Sequence, residues 1–383
     1  MPLHFSADEL AGRRSRVCEA LAESGLDGLL MFRQESMFYL TGYDTFGYVF
    51  FQCLYLGADG RTVLLTRAPD LRQAQQTSCV DDIHIWVDSP DAEPARDLKD
   101  ILAKLGCAGR TLGVEYEAYG LTGLNAKRLE AALEEFCDLK DASWLVSRFR
   151  MVKSPAEIAY VRRAGELADA ALEAARPLVA PGVFEGDILA AMQGAVFKGG
   201  GDYPGNEFII GSGPQALLCR YFTGRQHLEA RDQLTLEWAG AYRHYHAAMM
   251  RTLVLGEVPP RQREMAGAAQ DALLAVEAAL VPGGTIGEAF EAHARTLDAA
   301  GMQAHRMNAC GYSLGTTFAP NWMDWPMLYR GNPVVVEPGM VIFVHIIIFD
   351  SDEGLAMSLG RTSLVTETGA ESLSAAPLDV FLS

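Results

Sequence analysis

Along the first 150 residues, hydrophobic and polar positions alternate with two different periods, and this mixture predicts both helices and strands. Apolar side chains at helical spacing indicate helices over residues 9–24 and 124–136, and short apolar runs indicate strands over 28–32, 48–56, 62–65 and 110–115. The segment Ala58-Asp59-Gly60-Arg61 is typical of a hairpin turn, because glycine readily adopts the positive φ that such turns need. Residues 1–150 are therefore expected to form one α/β domain.

A new helix is predicted to begin shortly after residue 150. Ser154 and Glu157 have the spacing of a capping box, and Pro155 stands at the first helical position, which together are a signature of a helix N-terminus. Beyond this point the pattern predicts helices over 155–175, 185–197, 263–280 and 286–300, and strands over 208–211, 233–241, 249–255, 340–349 and 361–366. Residues 151–383 are therefore expected to form a second domain of mixed helix and β-structure.

The composition argues against several classes of partner. With 32 Lys and Arg against 49 Asp and Glu, the chain has a formal charge of −17, which disfavours binding to nucleic acid or to anionic membranes. Its seven cysteines are scattered without a C-x-x-C pair, as expected for reduced thiols rather than a disulfide framework. The N-terminus lacks a basic segment followed by an apolar run, and no apolar run is long enough to span a bilayer. We therefore expect a cytoplasmic location.

Six segments, in the same order along the chain, resemble the creatinase/prolidase family. They are residues 152–158, 211–214, 232–252, 255–256, 337–341 and 364–369. The resemblance extends to the N-terminal half through Tyr39-Leu40-Thr41-Gly42-Tyr43. It implies an α/β N-terminal domain, residues 1–150, followed by an α+β pita-bread catalytic domain of the creatinase/aminopeptidase type, residues 151–383.

Metallopeptidases of this family bind two metal ions through two Asp, one His and two Glu side chains, and the resemblance places other residues at most of these positions. The two Asp positions fall on Glu237 and Ala248, and the His position falls on Tyr312. The two Glu positions fall on His345 and Gly360. Carboxylates and imidazoles are needed to hold hard divalent ions, and at most two of these five residues could do so. We therefore expect no metal and no other cofactor.

Creatinase and ectoine hydrolase are metal-free members of the same family, and the second is the better match. The catalytic His and Glu positions of creatinase fall on Arg220 and Met250, whereas segments 236–240 and 242–252 are similar to ectoine hydrolase. The leading hypothesis is a metal-independent hydrolase that opens the cyclic amidine ring of ectoine or hydroxyectoine, a small zwitterion, to N-acetyl-diaminobutyrate. A creatinase-like amidinohydrolase, an Xaa-Pro peptidase-like protein and a non-catalytic binding module are the alternatives.

Three residues are the candidates for catalysis. Glu237 shares a strand face with Ala239 and is expected to attack the electrophilic amidine carbon as a nucleophile, the alternative being a core Glu paired to an Arg. His345 lies in an apolar strand and is expected to act as general acid or base, although such a residue is more often a satisfied core histidine. His246 is the third candidate and is preferred to His244, with a structural role as the alternative.

Five residues of the C-terminal domain are candidates for binding the substrate. Tyr312 is expected to donate a hydrogen bond to it, or else to fill the cavity. Trp322, Asp324 and Trp325 are expected to form part of a cage over the planar cationic amidinium, the alternative being a loop held by aromatic packing. Arg220 is the preferred guanidinium for the substrate carboxylate.

The resemblance also implies a head-to-tail homodimer, in which part of the N-terminal domain reaches the active site of the partner subunit. The matching segment, residues 43–48, contains Phe46 and Tyr48, and we expect these two aromatic residues to contact the substrate across the interface. An aromatic turn in the core of the domain is the alternative.

Overall fold

The computed structural model of the protein describes residues 3–221 and 224–382. Over this part of the chain the fold divides into two compact units between Arg150 and Met151. Each unit contains a β-sheet of its own. In the described residues the first sheet has six strands and the second has nine. No helix in the described residues is both long enough and apolar enough to cross a membrane.

The N-terminal unit is an α/β domain, as predicted. Its helices are α1 (Ala7–Glu23), α2 (Gln34–Thr41), α3 (Leu71–Thr77), α4 (Pro94–Lys104), α5 (Gly123–Leu133) and α6 (Leu145–Met151). Its strands are β1 (Gly28–Met31), β2 (Cys53–Gly57), β3 (Thr62–Arg67), β4 (Asp82–Trp86), β5 (Thr111–Val114) and β6 (Asp138–Asp141). The strand order is β4-β3-β2-β1-β5-β6. The β2–β3 hairpin turns at Gly60, whose φ is +86°, which confirms the turn predicted from the sequence.

The strand predicted over residues 48–56 is wrong in its first half. Gly47–Val49 forms a short 3-10 turn, and β2 begins only at Cys53. The Thr45 side chain stabilises this turn, because its hydroxyl donates to Asp70 Oδ1 at 3.0 Å and accepts the Gly47 N–H at 2.8 Å. The apolar residues of this segment do not mark a half-buried strand, since Val49 and Phe50 are exposed.

The C-terminal unit carries the larger sheet. Its helices are α7 (Pro155–Ala175), α8 (Glu185–Lys198), α9 (Pro260–Ala279) and α10 (Ile286–Ala299). Its strands are β7 (Ile209–Ser212), β8 (Asp232–Tyr242), β9 (Tyr245–Leu255), β10 (Ala309–Ser313), β11 (Asp324–Tyr329), β12 (Val341–Asp350), β13 (Leu355–Thr366), β14 (Gly369–Ser372) and β15 (Phe381–Leu382). The main path of the sheet is β11-β10-β12-β13-β9-β8-β7, with β14 beside β13 and β15 beside β9. The strand predicted over 249–255 therefore starts earlier, at Tyr245.

Helix α7 packs against one face of the sheet, and this close packing leaves no room for an active site on that face. Its N-terminus has the predicted capping box between Ser154 and Glu157. Trp238 of β8 is fully buried against the helix and donates its indole N–H to the Ala168 carbonyl at 2.9 Å. Gly240 permits this close approach, because a Cβ there would lie 2.0 Å from the Ala164 carbonyl oxygen. Since side chains alternate along a strand, Glu237 is directed to the opposite face.

The register of four antiparallel strands brings the predicted catalytic residues into one row. Glu237 of β8 lies opposite Met250 of β9, Met250 lies opposite Gly360 of β13, and Gly360 lies opposite His345 of β12. Directly opposed residues of antiparallel strands share a face. Glu237 and His345 therefore lie on the same face of the sheet, separated by Met250 and by a glycine that has no side chain to fill the space.

Candidate active site

A cavity of about 210 Å³ opens over this row of residues in the C-terminal unit. We call it the Glu237 cavity. Five of the candidate residues line it, namely Glu237, Tyr312, His345, Trp322 and Arg220. The N-terminal unit has a larger cavity of about 540 Å³ between segments 90–96 and 125–132, but no pair of buried ionisable groups lines it. We therefore take the Glu237 cavity as the candidate active site because of the groups that line it, although its volume is the smaller of the two.

Glu237 is held in an unusual electrostatic state. Desolvation by burial raises the pKa of its carboxyl group to about 7, although a hydrogen bond from Tyr312 and the positive charge of Arg220 act in the opposite direction. The Tyr312 hydroxyl donates to Oε1 at 3.2 Å. No hydrogen bond within the described residues engages the other oxygen, Oε2. Glu237 therefore carries one oriented oxygen and one oxygen available for reaction.

Trp322 completes a chain of hydrogen bonds behind this carboxylate. Its indole N–H donates to the Tyr312 hydroxyl oxygen at 2.9 Å, and the Tyr312 hydroxyl proton points to Glu237. Both aromatic side chains are buried, and burial holds the pKa of Tyr312 well above its ordinary value, so that its hydroxyl stays a donor. The sequence predicts that both residues contact the substrate, whereas in the structure their polar atoms are directed to each other and to Glu237.

His345 stands across the cavity from Glu237 as a neutral imidazole. Burial lowers its pKa to about 4, with further contributions from His293 and Arg220. Its ring packs against the rings of Tyr312 and Phe343 at centroid distances of 5.5 and 5.4 Å. Nδ1 is buried and has no hydrogen-bond partner among the residues that the structure describes. A histidine that only stabilised the core would be expected to have its polar atoms satisfied.

Arg220 contributes the positive charge of the cavity. Its guanidinium makes no hydrogen bond or ion pair with any described residue, and it is exposed. The buried carboxylate of Glu185 anchors the chain on both sides of this arginine, because it accepts N–H groups from Ser212 at 2.7 Å and from Arg225 at 2.9 Å. Arg220 is therefore presented from an anchored loop and is available for an anionic ligand.

The structure does not bring His246, the third catalytic candidate, into the Glu237 cavity. The residue is fully buried and does not line the Glu237 cavity. Both ring nitrogens are engaged: Nε2 accepts the Gly205 N–H at 2.8 Å, and Nδ1 lies 3.1 Å from the Thr317 hydroxyl. Burial lowers its pKa to about 4. These contacts favour the structural role that the sequence left as the alternative for His246.

The predicted aromatic cage is also only partly present. Asp324 and Trp325 do not line the cavity, and only Trp322 does. Asp324 is buried and accepts the Trp325 backbone N–H at 2.9 Å, and Trp325 packs against the hydrophobic core between the sheet and helices α9 and α10. Both residues belong to strand β11, and neither is among the residues that line the cavity.

The two aromatic residues of the N-terminal unit differ in accessibility. Phe46 is 70% exposed, which leaves it available for a partner. Tyr48 is 6% exposed, and burial raises its pKa to about 12. Tyr48 is therefore an interior residue of the monomer, as the alternative interpretation of this segment expected.

Several lining residues were not found from the sequence. They are Asn206, Ile209, Cys219, Met307, Ala309, Asn321, Met323, Met327 and Ile347. Most of them lie in loops or at strand ends, where neither the helical nor the strand period indicates which way a side chain points. Asn321 is of particular interest because its Nδ2 amide makes no hydrogen bond with any described residue, which leaves a neutral donor at the cavity.

Comparison with known proteins identifies the family. The family model for metallopeptidase family M24 matches residues 159–367, and that for the creatinase/prolidase N-terminal domain matches residues 13–152. The chain belongs to family M24, joined to a creatinase/prolidase-type N-terminal domain. The creatinase/prolidase recognition and the pita-bread fold are thereby confirmed.

Individual relatives are hydrolases of two kinds. The chain is 29% identical over 404 residues to ectoine hydrolase of Halomonas elongata, covering 99% of this chain and 98% of the relative. It is also 29% identical over 390 residues to an uncharacterized hydrolase/peptidase, y4tM, of Sinorhizobium fredii, with coverage of 99% and 98%. The solved Xaa-Pro dipeptidase from Bacillus anthracis superposes with a TM-score of 0.83 at 21% identity, over 97% of this chain and all of the other. These relatives indicate a hydrolase and leave its substrate open.

The family name implies a metal centre, and the residues of this chain do not fit one with two metal ions. Of the five positions that resemble ligand positions, Ala248 and Gly360 have no donor atom, and the Tyr312 hydroxyl is committed to Glu237. Glu237 and His345 are the two that remain. Across the described residues, no group of three or more His, Cys, Asp or Glu side chains is arranged to hold a metal ion.

Proposed function

We propose that the protein is a metal-independent hydrolase that opens the cyclic amidine ring of ectoine to N-acetyl-diaminobutyrate, or that of hydroxyectoine to the corresponding hydroxylated product, with Glu237 as the nucleophile. The observation that carries this proposal is the state of Glu237. Its carboxyl group stands where the family binds metal, has a pKa near 7, and faces a neutral imidazole across a small cavity. The full-length similarity to ectoine hydrolase supports the same substrate.

The charges of the cavity favour a compact zwitterion. Glu237 supplies one negative group and Arg220 one positive group, and both line the same cavity. A volume of about 210 Å³ lies below the roughly 300–1,000 Å³ of ordinary ligand pockets, so a small ring suits it better than an extended peptide. The substrate carboxylate would pair with Arg220, and the amidinium would lie against Glu237.

Glu237 can begin the reaction without a metal because the amidinium carbon is already electrophilic. Oε2 forms a bond to that carbon, and the ring C–N bond breaks after its nitrogen takes a proton from solvent, which leaves a ring-opened adduct on the carboxylate. Water then adds its oxygen to the same carbon and gives up its protons, the bond to Oε2 breaks, and the acetamide is released. Tyr312 keeps Oε1 oriented throughout, since it donates to that oxygen.

His345 is the proposed proton carrier for these steps. A general base must be unprotonated at the working pH, and burial ensures this by lowering the pKa of His345 to about 4. It would accept a proton from the water that attacks the adduct. Because Nδ1 is enclosed without a partner in the described residues, the imidazole would exchange protons through Nε2.

A peptidase that cleaves Xaa-Pro dipeptides is the second candidate, because the family model and the superposed dipeptidase both favour it. The side chains of the cavity argue against a peptidase. Such an enzyme would activate water with two metal ions, and the ligands needed to hold them are missing. A creatinase-like amidinohydrolase and a non-catalytic binding protein complete the alternatives.

The first experiment incubates chelator-treated protein with ectoine and follows N-acetyl-diaminobutyrate by mass spectrometry. Creatine and an Xaa-Pro dipeptide are tested in parallel, each with and without added Mn²⁺. We expect product from ectoine without added metal. Turnover of the dipeptide alone, and only after Mn²⁺ is added, would replace the proposal by the peptidase, and binding of ectoine without product would favour the binding protein.

The rate of ring opening should rise with pH through about 7. Ionised Glu237 is the reactive form, so a raised pKa means that activity is lost as the pH falls through that raised value. We expect kcat/KM to fall about tenfold for each pH unit below 7 and to level off above it. Initial rates between pH 5 and 9 test this. A plateau that extends down to pH 5 would show that Glu237 has an ordinary pKa and is not tuned in this way.

We also propose a homodimer in which Phe46 contacts the substrate bound in the partner subunit. The 70% exposure of this large apolar side chain supports the proposal. Sedimentation should give twice the chain mass of 41.6 kDa, and Phe46→Ala should raise KM about tenfold without dissociating the dimer. Tyr119→Ala, which truncates another exposed aromatic residue of the same unit, is the matched control. A monomer, or equal KM values for the two variants, would contradict the proposal.

A further inference from the structure

His246 is the centre of a directional chain of hydrogen bonds. Nε2 accepts from the Gly205 backbone N–H, which can only donate, so the ring proton of the neutral imidazole is on Nδ1. Nδ1 lies 3.1 Å from the Thr317 hydroxyl oxygen and 3.4 Å from the Gly315 carbonyl. When the Thr317 hydroxyl oxygen accepts the Nδ1 proton, the same hydroxyl donates its own proton to the Trp322 carbonyl at 3.4 Å.

These bonds join two segments that line the Glu237 cavity. Asn206 belongs to the first segment and Trp322 to the second, and they are also joined directly, because the Trp322 N–H donates to the Asn206 side-chain oxygen at 3.2 Å. Gly205 packs so closely that a Cβ there would lie 2.9 Å from the backbone of Asn321 and Trp322. The segments are therefore fixed to each other on one side by His246 and on the other by Asn206.

The same chain continues to the nucleophile. The backbone position of Trp322 determines where its indole N–H points, and that N–H donates to Tyr312, which in turn donates to Glu237. We propose that His246 is a positioning residue, which holds segments 205–206 and 317–322 together and thereby keeps Trp322 and Tyr312 aligned on Glu237. The proposal rests on the assigned role of Glu237 but not on the identity of the substrate.

The protonation state of His246 supports a constant structural role. Burial is the main cause that lowers its pKa to about 4, and the nearby His244 contributes in the same direction. The imidazole therefore stays neutral above about pH 5, and Nε2 remains an acceptor for Gly205. Around Glu237 itself, the titratable and charged groups that line the cavity are Tyr312, Arg220, Cys219 and His345.

The test is a direct titration of Glu237 that needs no substrate. Infrared difference spectra of the full-length protein, labelled with ¹³C-carboxyl glutamate, follow the protonated carboxyl band, and the Glu237→Gln protein identifies the contribution of this residue. The hydrogen bond from Tyr312 lowers the pKa of Glu237, so loss of alignment should raise it. We expect the midpoint near pH 7 to move upward by about one pH unit in His246→Leu, and Tyr312→Phe to give the upper limit of the shift.

Conservative variants separate positioning from simple stability. In His246→Gln, the amide can accept from Gly205 and donate towards Thr317, so the midpoint should return to that of the wild type. Thr317→Val keeps the shape of the threonine side chain, removes one bond of the chain and should give a smaller upward shift if His246→Leu fails to fold. The proposal is overturned if folded His246→Leu or Thr317→Val proteins titrate as the wild type while Tyr312→Phe does not. Because ectoine is absent, failure of the ectoine assay leaves this measurement valid.

Discussion

Glu237→Gln should abolish ectoine hydrolysis, with a loss of at least about 10⁴-fold in kcat. The amide has nearly the same shape and still accepts the hydrogen bond from Tyr312, but it carries no charge and is a poor nucleophile. Binding should persist, because the proposed pairing of Arg220 with the substrate carboxylate does not involve Glu237. Product formation measured by mass spectrometry, together with calorimetric titration of ectoine, separates the two effects.

Glu207→Gln is the matched control for this experiment. It makes the same chemical change in an exposed residue that adjoins the lining residue Asn206 but does not itself line the cavity. Its kcat should equal that of the wild type. If Glu237→Gln retained more than a tenth of the wild-type kcat, the carboxylate would not be the nucleophile, and the attacking group would have to be water.

Much of the fold was predictable where the apolar period is long and the ends are marked. Helix α7 has both an apolar stripe and a capping box, and its observed bounds, Pro155–Ala175, equal the predicted ones. The segment 48–52 lacks such marks. Its aromatic letters suggested a strand, but they include the exposed Phe50, and the bonds from Thr45 to Asp70 and Gly47 depend on tertiary contacts that no local period contains.

The site was predictable as far as strand alternation and the family resemblance determine it. Glu237 and His345 fall on one sheet face because their strands have a period of two and an antiparallel register. Strand alternation also places His246 on the same sheet face as Met250. It does not indicate how far along the strand a residue on that face lies from the cavity. His246 lies four residues, or roughly 13 Å, along the strand from Met250. At His246 the loops that contain Gly205 and Thr317 cover this face of the sheet. The direction of the Trp322 indole N–H likewise depends on a loop path that the sequence does not determine.

His345→Phe should lower kcat by about 10²–10⁴-fold with little change in KM, because the substitution removes the proposed proton carrier but keeps a planar ring. The phenyl ring can occupy the same contacts with Tyr312 and Phe343. The substitution also removes Nδ1, a buried polar atom without a partner in the described residues. The thermal stability of His345→Phe should therefore be equal to or slightly higher than that of the wild type. Steady-state kinetics and a thermal melt test both expectations.

A covalent adduct should accumulate in the same variant if His345 assists the second step. Attack by Glu237 does not need an external base, whereas water must lose protons to complete the hydrolysis. Intact-mass spectra of His345→Phe quenched with acid during turnover should therefore show the protein increased by the mass of one ectoine, and Glu237→Gln should show no such species. A His345→Phe protein with kcat within threefold of the wild type and no adduct would assign proton transfer to another group, for which the Tyr312 hydroxyl, 3.2 Å from Glu237 Oε1, is a candidate.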